Sequence, residues 1–96
     1  MLSQIPINLS KVKQPDLDKE ILRAAIIAEL DAVSLYEQLA AMTDNVHLKT
    51  VLLDVAKEEK THAGEFQEML LRLDPQQKAE LAHGKEEVEE LVGKAK

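Results

Sequence analysis

No cysteine occurs in this 96-residue chain, which excludes disulfides, thiolate-bound zinc and cysteine-held iron–sulfur clusters. Any metal would have to be bound through oxygen and nitrogen. Tryptophan is also absent, and Tyr36 and Phe66 are the only members of the Phe, Tyr and Trp group. There is no basic block and no alternation of aromatic and basic residues, and the formal net charge is −6. Neither nucleic acid nor an anionic membrane is therefore expected as a partner. The longest apolar run, residues 24–28, is far too short to span a bilayer. The opening stretch, residues 1–6, lacks the basic region and continuous apolar core of a secretory signal, so the cytoplasm is the expected compartment.

What remains is the vocabulary of helices. Ala, Leu, Glu and Lys dominate, all good helix formers. At 45% hydrophobic and 31% charged residues, the composition suits a folded helical protein rather than a disordered one. A single domain of this length has a thin core, and association often supplies the missing burial. Residues 1–14 show no periodicity and contain Pro6. They read as an extended arm that could pack on a neighbour through Leu2, Ile5, Ile7 and Leu9. Pro15-Asp16 then resembles a helix start, with Asp16, Asp18 and Glu20 suiting the helix dipole. The domain proper is expected to run from 15 to 96.

The first helix should extend to about Met42, with Leu22, Ile26, Glu29, Val33, Tyr36 and Ala40 on one stripe. Ala28, Leu35, Leu39 and Met42 form a second apolar strip beside it. That arc is too wide for one partner helix to cover, which points to association. Thr43-Asp44-Asn45 is the expected turn, with Asp44 as the N-cap of the next helix. Leu48, Leu52, Val55, Glu59, His62, Phe66, Leu70 and Leu73 make the second stripe. Asp74, Pro75 and Gln77 then read as an N-cap, a first-turn proline and a capping Gln. A short third helix should stop at Gly84. Residues 86–92 could add a last segment before Gly93 and a fraying tail.

Polar residues interrupt both stripes. Glu29 breaks the first, and Glu59 with His62 breaks the second. A carboxylate in such a place costs several kcal/mol unless it is paired, hydrogen-bonded, neutralised or metal-bound. Glu59 and His62 are three apart, so both can reach one ion from the same side of a helix. Residues 29 and 59 each lie fifteen positions from Asp44, which places both carboxylates about 22 Å from the turn. Metal-bearing four-helix bundles build a di-iron site from two Glu residues and two Glu-x-x-His pairs, and this chain carries half that set. Carboxylate plus imidazole suits iron, manganese or zinc. The competing reading is a buried Glu–His pair whose hydrogen bond fixes helix register.

The stretches Glu29-Leu30-Asp31-Ala32-Val33-Ser34-Leu35-Tyr36-Glu37-Gln38 and Glu58-Glu59-Lys60-Thr61-His62-Ala63 resemble the encapsulated ferritins. These are half-size ferritin-like proteins housed in encapsulin nanocompartments, and the resemblance covers roughly residues 15–94. It implies an all-α fold: an antiparallel two-helix hairpin plus a short C-terminal helix, completing a ferritin-like four-helix bundle by dimerisation. Glu29, Glu59 and His62 would bind iron, each subunit supplying half of a di-iron ferroxidase centre. That centre would oxidise Fe(II) to Fe(III) with dioxygen or peroxide, for iron storage within an encapsulin shell. Dimers would assemble into a ring, commonly a decamer. Tyr36 would neighbour the centre, the alternative being a core aromatic with a satisfied hydroxyl. Asp31 stands where some members carry Glu, in a secondary metal site on the route by which iron enters, but its place off the main stripe also fits a solvated carboxylate. Glu58 is within reach of the second ring nitrogen of His62, and His47 and His83 carry no expected role.

Two other readings stand beside this one. A rubrerythrin-like peroxide scavenger would use a similar centre, although its usual rubredoxin-type cysteine site is missing. A metal-free helical assembly module would need no centre at all. The tail, residues 90–96, does not resemble the cargo tag of free-standing family members. Either docking uses another surface or the natural chain continues, as in members fused to the shell protein.

Overall fold

The computed structural model describes residues 16–95 together with Asn8, Ser10, Lys13 and Gln14. Among them are three α-helices and no strand: α1 (Asp16–Met42), α2 (Val46–Leu73) and α3 (Pro75–Val92). None is long and apolar enough to cross a membrane. The apolar residues of the expected arm, Leu2, Ile5, Ile7 and Leu9, lie outside the described residues.

Helix α1 opens with Asp16 and Asp18 against the positive end of its dipole. Thr43, Asp44 and Asn45 make the turn at its other end. The cap of α2 is Asn45, not the expected Asp44. Asn45 has an extended backbone (φ −76°, ψ 111°), and its Oδ1 accepts from the Leu48 N–H at 2.9 Å. Its own N–H donates to Thr43 Oγ1 at 3.1 Å. Asn and Asp are nearly equivalent as caps, so turn geometry rather than residue type chose between these neighbours.

The two long helices run antiparallel. Lys60 reaches Glu37 at 3.4 Å, while His62, two residues further along α2, reaches back to Glu29 at 3.6 Å. Their line of contact is narrow and built mainly of alanine. The buried apolar residues are Ala24, Ala40, Ala56 and Leu70, and none of the largest described side chains is wholly enclosed. Small side chains there let the two helix backbones approach closely. On either side of the line, Ile27, Leu30, Leu39, Leu48, Val51 and Met69 stay exposed. The accessible surface is 7515 Å², against about 5,500 Å² for a compact monomer of this mass.

Asp74 is the junction between α2 and α3. Its N–H donates to the Leu70 carbonyl at 2.9 Å, and its Oδ1 accepts from the Gln77 N–H at 3.0 Å. Arg23 of α1 donates to its other oxygen at 3.3 Å and also pairs with Glu20 at 2.6 Å. Asp74 is 8% exposed, so this partner also matters for its buried charge. Beyond the junction, the backbone of α3 approaches α2 but not α1, and α3 buries no residue of its own. The result is a flat, angular body of 46 × 42 × 19 Å.

Gly84 does not stop α3, contrary to expectation, and the helix runs through it to Val92. A glycine ends a helix when it turns left-handed, and among the described residues only Gly93 does so, at φ 86°. His83, with Nδ1 3.4 Å from Glu80 and Nε2 3.2 Å from Glu87, links the turns on both sides of Gly84. Contacts of this spacing support a helix locally, which offsets part of the cost of an interior glycine.

Two outcomes follow for stability. Asp74→Ala should lower unfolding free energy by about 1–2 kcal/mol through the lost cap, read by urea unfolding at fixed protein concentration, with Asp74→Asn retaining most of it. Gly84→Ala should raise it by up to about 1 kcal/mol, because a Cβ there meets nothing within 4 Å. Circular dichroism would report the added helicity.

Candidate metal centre

The antiparallel register brings Glu29, Glu59 and His62 together. One carboxylate oxygen from each Glu and one ring nitrogen of His62 all lie within 4.8 Å of one another. His62 Nδ1 is 3.6 Å from Glu29 Oε2 and 3.5 Å from Glu59 Oε2. A register-fixing hydrogen bond would close to about 2.7–3.2 Å. Ligands placed about 2.0–2.2 Å from a shared ion stand roughly 3–4 Å apart. The observed separations fall in the second range.

Burial sharpens the contrast. Both glutamate side chains are only 19% exposed, whereas that of His62 is 45% exposed. Glu29 Oε2 is buried and has no hydrogen-bond partner. An acceptor deprived of water and left without a hydrogen bond is costly, and a second carboxylate nearby adds repulsion. A cation between them would offset both. The donor set of two oxygens and one nitrogen fits iron, manganese or zinc. Beside it lies an open hollow of about 310 Å³, lined by Glu29, His62, Glu65 and Phe66.

The remaining candidates sit further out. Tyr36 is half-buried and lies seven residues beyond Glu29 on the same stripe, about 10 Å along the helix axis. It does not line the hollow. Asp31 is half-buried and lies outside the three-residue group. Glu58 is exposed, as are His47 and His83, and His83 is engaged by Glu80 and Glu87. Glu65 borders the hollow as well. Its spacing of three from His62 was the available signal, but its place off the apolar stripe made it look like ordinary solvated surface.

Comparison with known proteins agrees with this architecture. The family model described as rubrerythrin matches residues 20–94. The crystal structure of the encapsulated ferritin domain from Pyrococcus furiosus shares the fold with a TM-score of 0.85 and 51% identity, each chain covered in full. The ferritin-like–encapsulin shell fusion protein of Pyrococcus furiosus is 54% identical over 95 residues, 97% of this chain and 28% of the relative. The encapsulin nanocompartment cargo protein EncC of Myxococcus xanthus is 44% identical over 79 residues, 82% of this chain and 58% of the relative. This chain thus spans less than two thirds of either of these curated relatives. Three α-helices, a Glu/Glu/His cluster across the hairpin and full-length similarity to a solved domain lead to one assignment: the chain belongs to the encapsulated ferritins, ferritin-like proteins that the rubrerythrin family model takes in.

Proposed function

We propose that this chain is a ferroxidase, oxidising Fe(II) to Fe(III) at a di-iron centre shared between two copies. The observation that carries this reading is the half-set of ligands: Glu29, Glu59 and His62 converge, and Glu29 Oε2 is buried without a hydrogen bond. The group would be complete with a second copy related by a two-fold axis, giving four carboxylates and two imidazoles. The exposed apolar side chains flanking the α1–α2 contact supply the surface for that pairing.

Iron is the substrate in this scheme. Two Fe(II) ions each give up one electron to dioxygen, which takes up two protons to leave as hydrogen peroxide, or to hydrogen peroxide, which takes up two protons to leave as two waters. The carboxylates of Glu29 and Glu59 would hold the ions and favour the harder, more charged Fe(III). His62, more exposed than either, would occupy the solvent side. Tyr36 would stand as an outer aromatic neighbour of the centre, and Asp31 as an outer cation-binding carboxylate. Dimers would assemble further into a ring, commonly a decamer, and deliver iron for storage inside an encapsulin shell. The shell fusion protein and the nanocompartment cargo protein among the relatives support that placement, with the shell either a separate chain or a fused one.

A second reading, peroxide scavenging, draws on the rubrerythrin family match. Turnover with peroxide far exceeding that with dioxygen would favour it.

Anaerobic titration with Fe(II) followed by air should show fast oxidation at about one di-iron centre per dimer, followed by absorbance. Glu59→Ala should abolish it and weaken the dimer. Wild-type protein that oxidises iron no faster than buffer would remove the proposal. Glu29→Gln separates stability from metal binding. Removing a buried charge that no hydrogen bond satisfies and that stands beside a second carboxylate should leave the melting temperature of the metal-free protein unchanged or raised. The rise that Co(II) gives wild type should be lost. A metal-free assembly module would instead show no Co(II) effect in wild type.

A further inference from the structure

Glu65 has no part in the three-residue ligand group, yet it lines the same hollow as Glu29 and His62. It is exposed, one helical turn beyond His62 on α2. No ion pair or hydrogen bond joins it to another described residue. Exposed acids nearby are matched differently: Glu37 pairs with Lys60, and Glu68 with Arg72. The hollow is therefore ringed by two carboxylates and an imidazole, with the Phe66 ring as an apolar wall. A concave surface of one charge sign with a low-dielectric wall concentrates the field and draws ions of the opposite sign.

We propose that Glu65 is the loading residue of the centre. It captures a hydrated divalent cation at the mouth of the hollow and passes it to Glu29, whose buried Oε2, without a hydrogen bond, is the next acceptor inward. The inference rests on the metal-centre reading and adds the side from which the ion arrives. Displaced from the ligand group, Glu65 acts on the rate of filling and not on the final coordination. Exposure suits that task, since an outer carboxylate must exchange its ion quickly. The lower exposure of Glu29 and Glu59 suits retention.

The test is stopped-flow mixing of anaerobic protein with Co(II), followed by its visible absorption, for wild type, Glu65→Gln and Glu65→Asp. Glu65→Gln should load about three- to tenfold more slowly at low ionic strength, with the gap closing as salt is added. The number of Co(II) ions bound at saturation and the final spectrum should match wild type, and Glu65→Asp should retain most of the rate. With Fe(II) and dioxygen, Glu65→Gln should be slow at limiting iron and match wild type at saturating iron. Unchanged loading, or an equal loss at all iron concentrations, overturns the proposal. So does a change in oligomeric state, which would make Glu65 an interface residue. Wild type that binds no Co(II) overturns the metal-centre reading itself, and Glu65→Gln loading like a Co(II)-binding wild type overturns only this inference.

Discussion

Two helices packed side by side touch along a single line, and α1 and α2 both carry apolar side chains well beyond theirs. Alanine occupies most of that line, with Ala24, Ala40 and Ala56 joined by Leu70. Alanines allow close packing but bury little area, so each contributes little hydrophobic stabilisation. Exposed Leu30, Leu39, Leu48 and Met69 remain to be covered from outside. The two buried-side carboxylates, Glu29 and Glu59, share this condition. The hairpin brings them together without enclosing them, and in the proposed dimer one act of association would cover the apolar faces and complete the ligand set.

The angle at which α3 leaves the hairpin depends on a second small device. Asp74 closes α2 with its N–H and opens α3 with its carboxylate, and Arg23 holds the other oxygen from α1. Three partners on one buried residue leave it little freedom. Since α3 buries nothing of its own, this junction rather than a packed face governs where its exposed Leu81, Val88 and Leu91 are presented. Continuity through Gly84 keeps those residues on one unbroken helix.

Much of the fold was legible in the amino-acid order. The limits of α1 and the end of α2 followed from apolar periodicity meeting the turn and the Asp74-Pro75 punctuation, which are local signals. The errors were local as well. Asp44 and Asn45 are chemically equivalent caps, and only the turn's dihedral angles made Asn45 the acceptor. Gly84 carries the residue type of a stop but not the left-handed backbone of one, which Gly93 has. Glu65 escaped notice because periodicity scores a residue by its own helix face, whereas the hollow it lines is formed jointly with α1.

The sequence by itself determined the helices, the oxygen–nitrogen character of any metal site and the half-set Glu29, Glu59 and His62. Each of these depends on residue type and spacing within one helix. Only the tertiary structure decided that His62 stands 3.6 Å from Glu29 and 3.5 Å from Glu59, too far for a hydrogen bond and suited to a shared ion. It also decided that Glu29 Oε2 is buried without a hydrogen bond and that a second carboxylate, Glu65, borders the same hollow. Such facts belong to the register between two helices. That register is set by how their side chains interlock across the hairpin, which no pattern within a single helix contains.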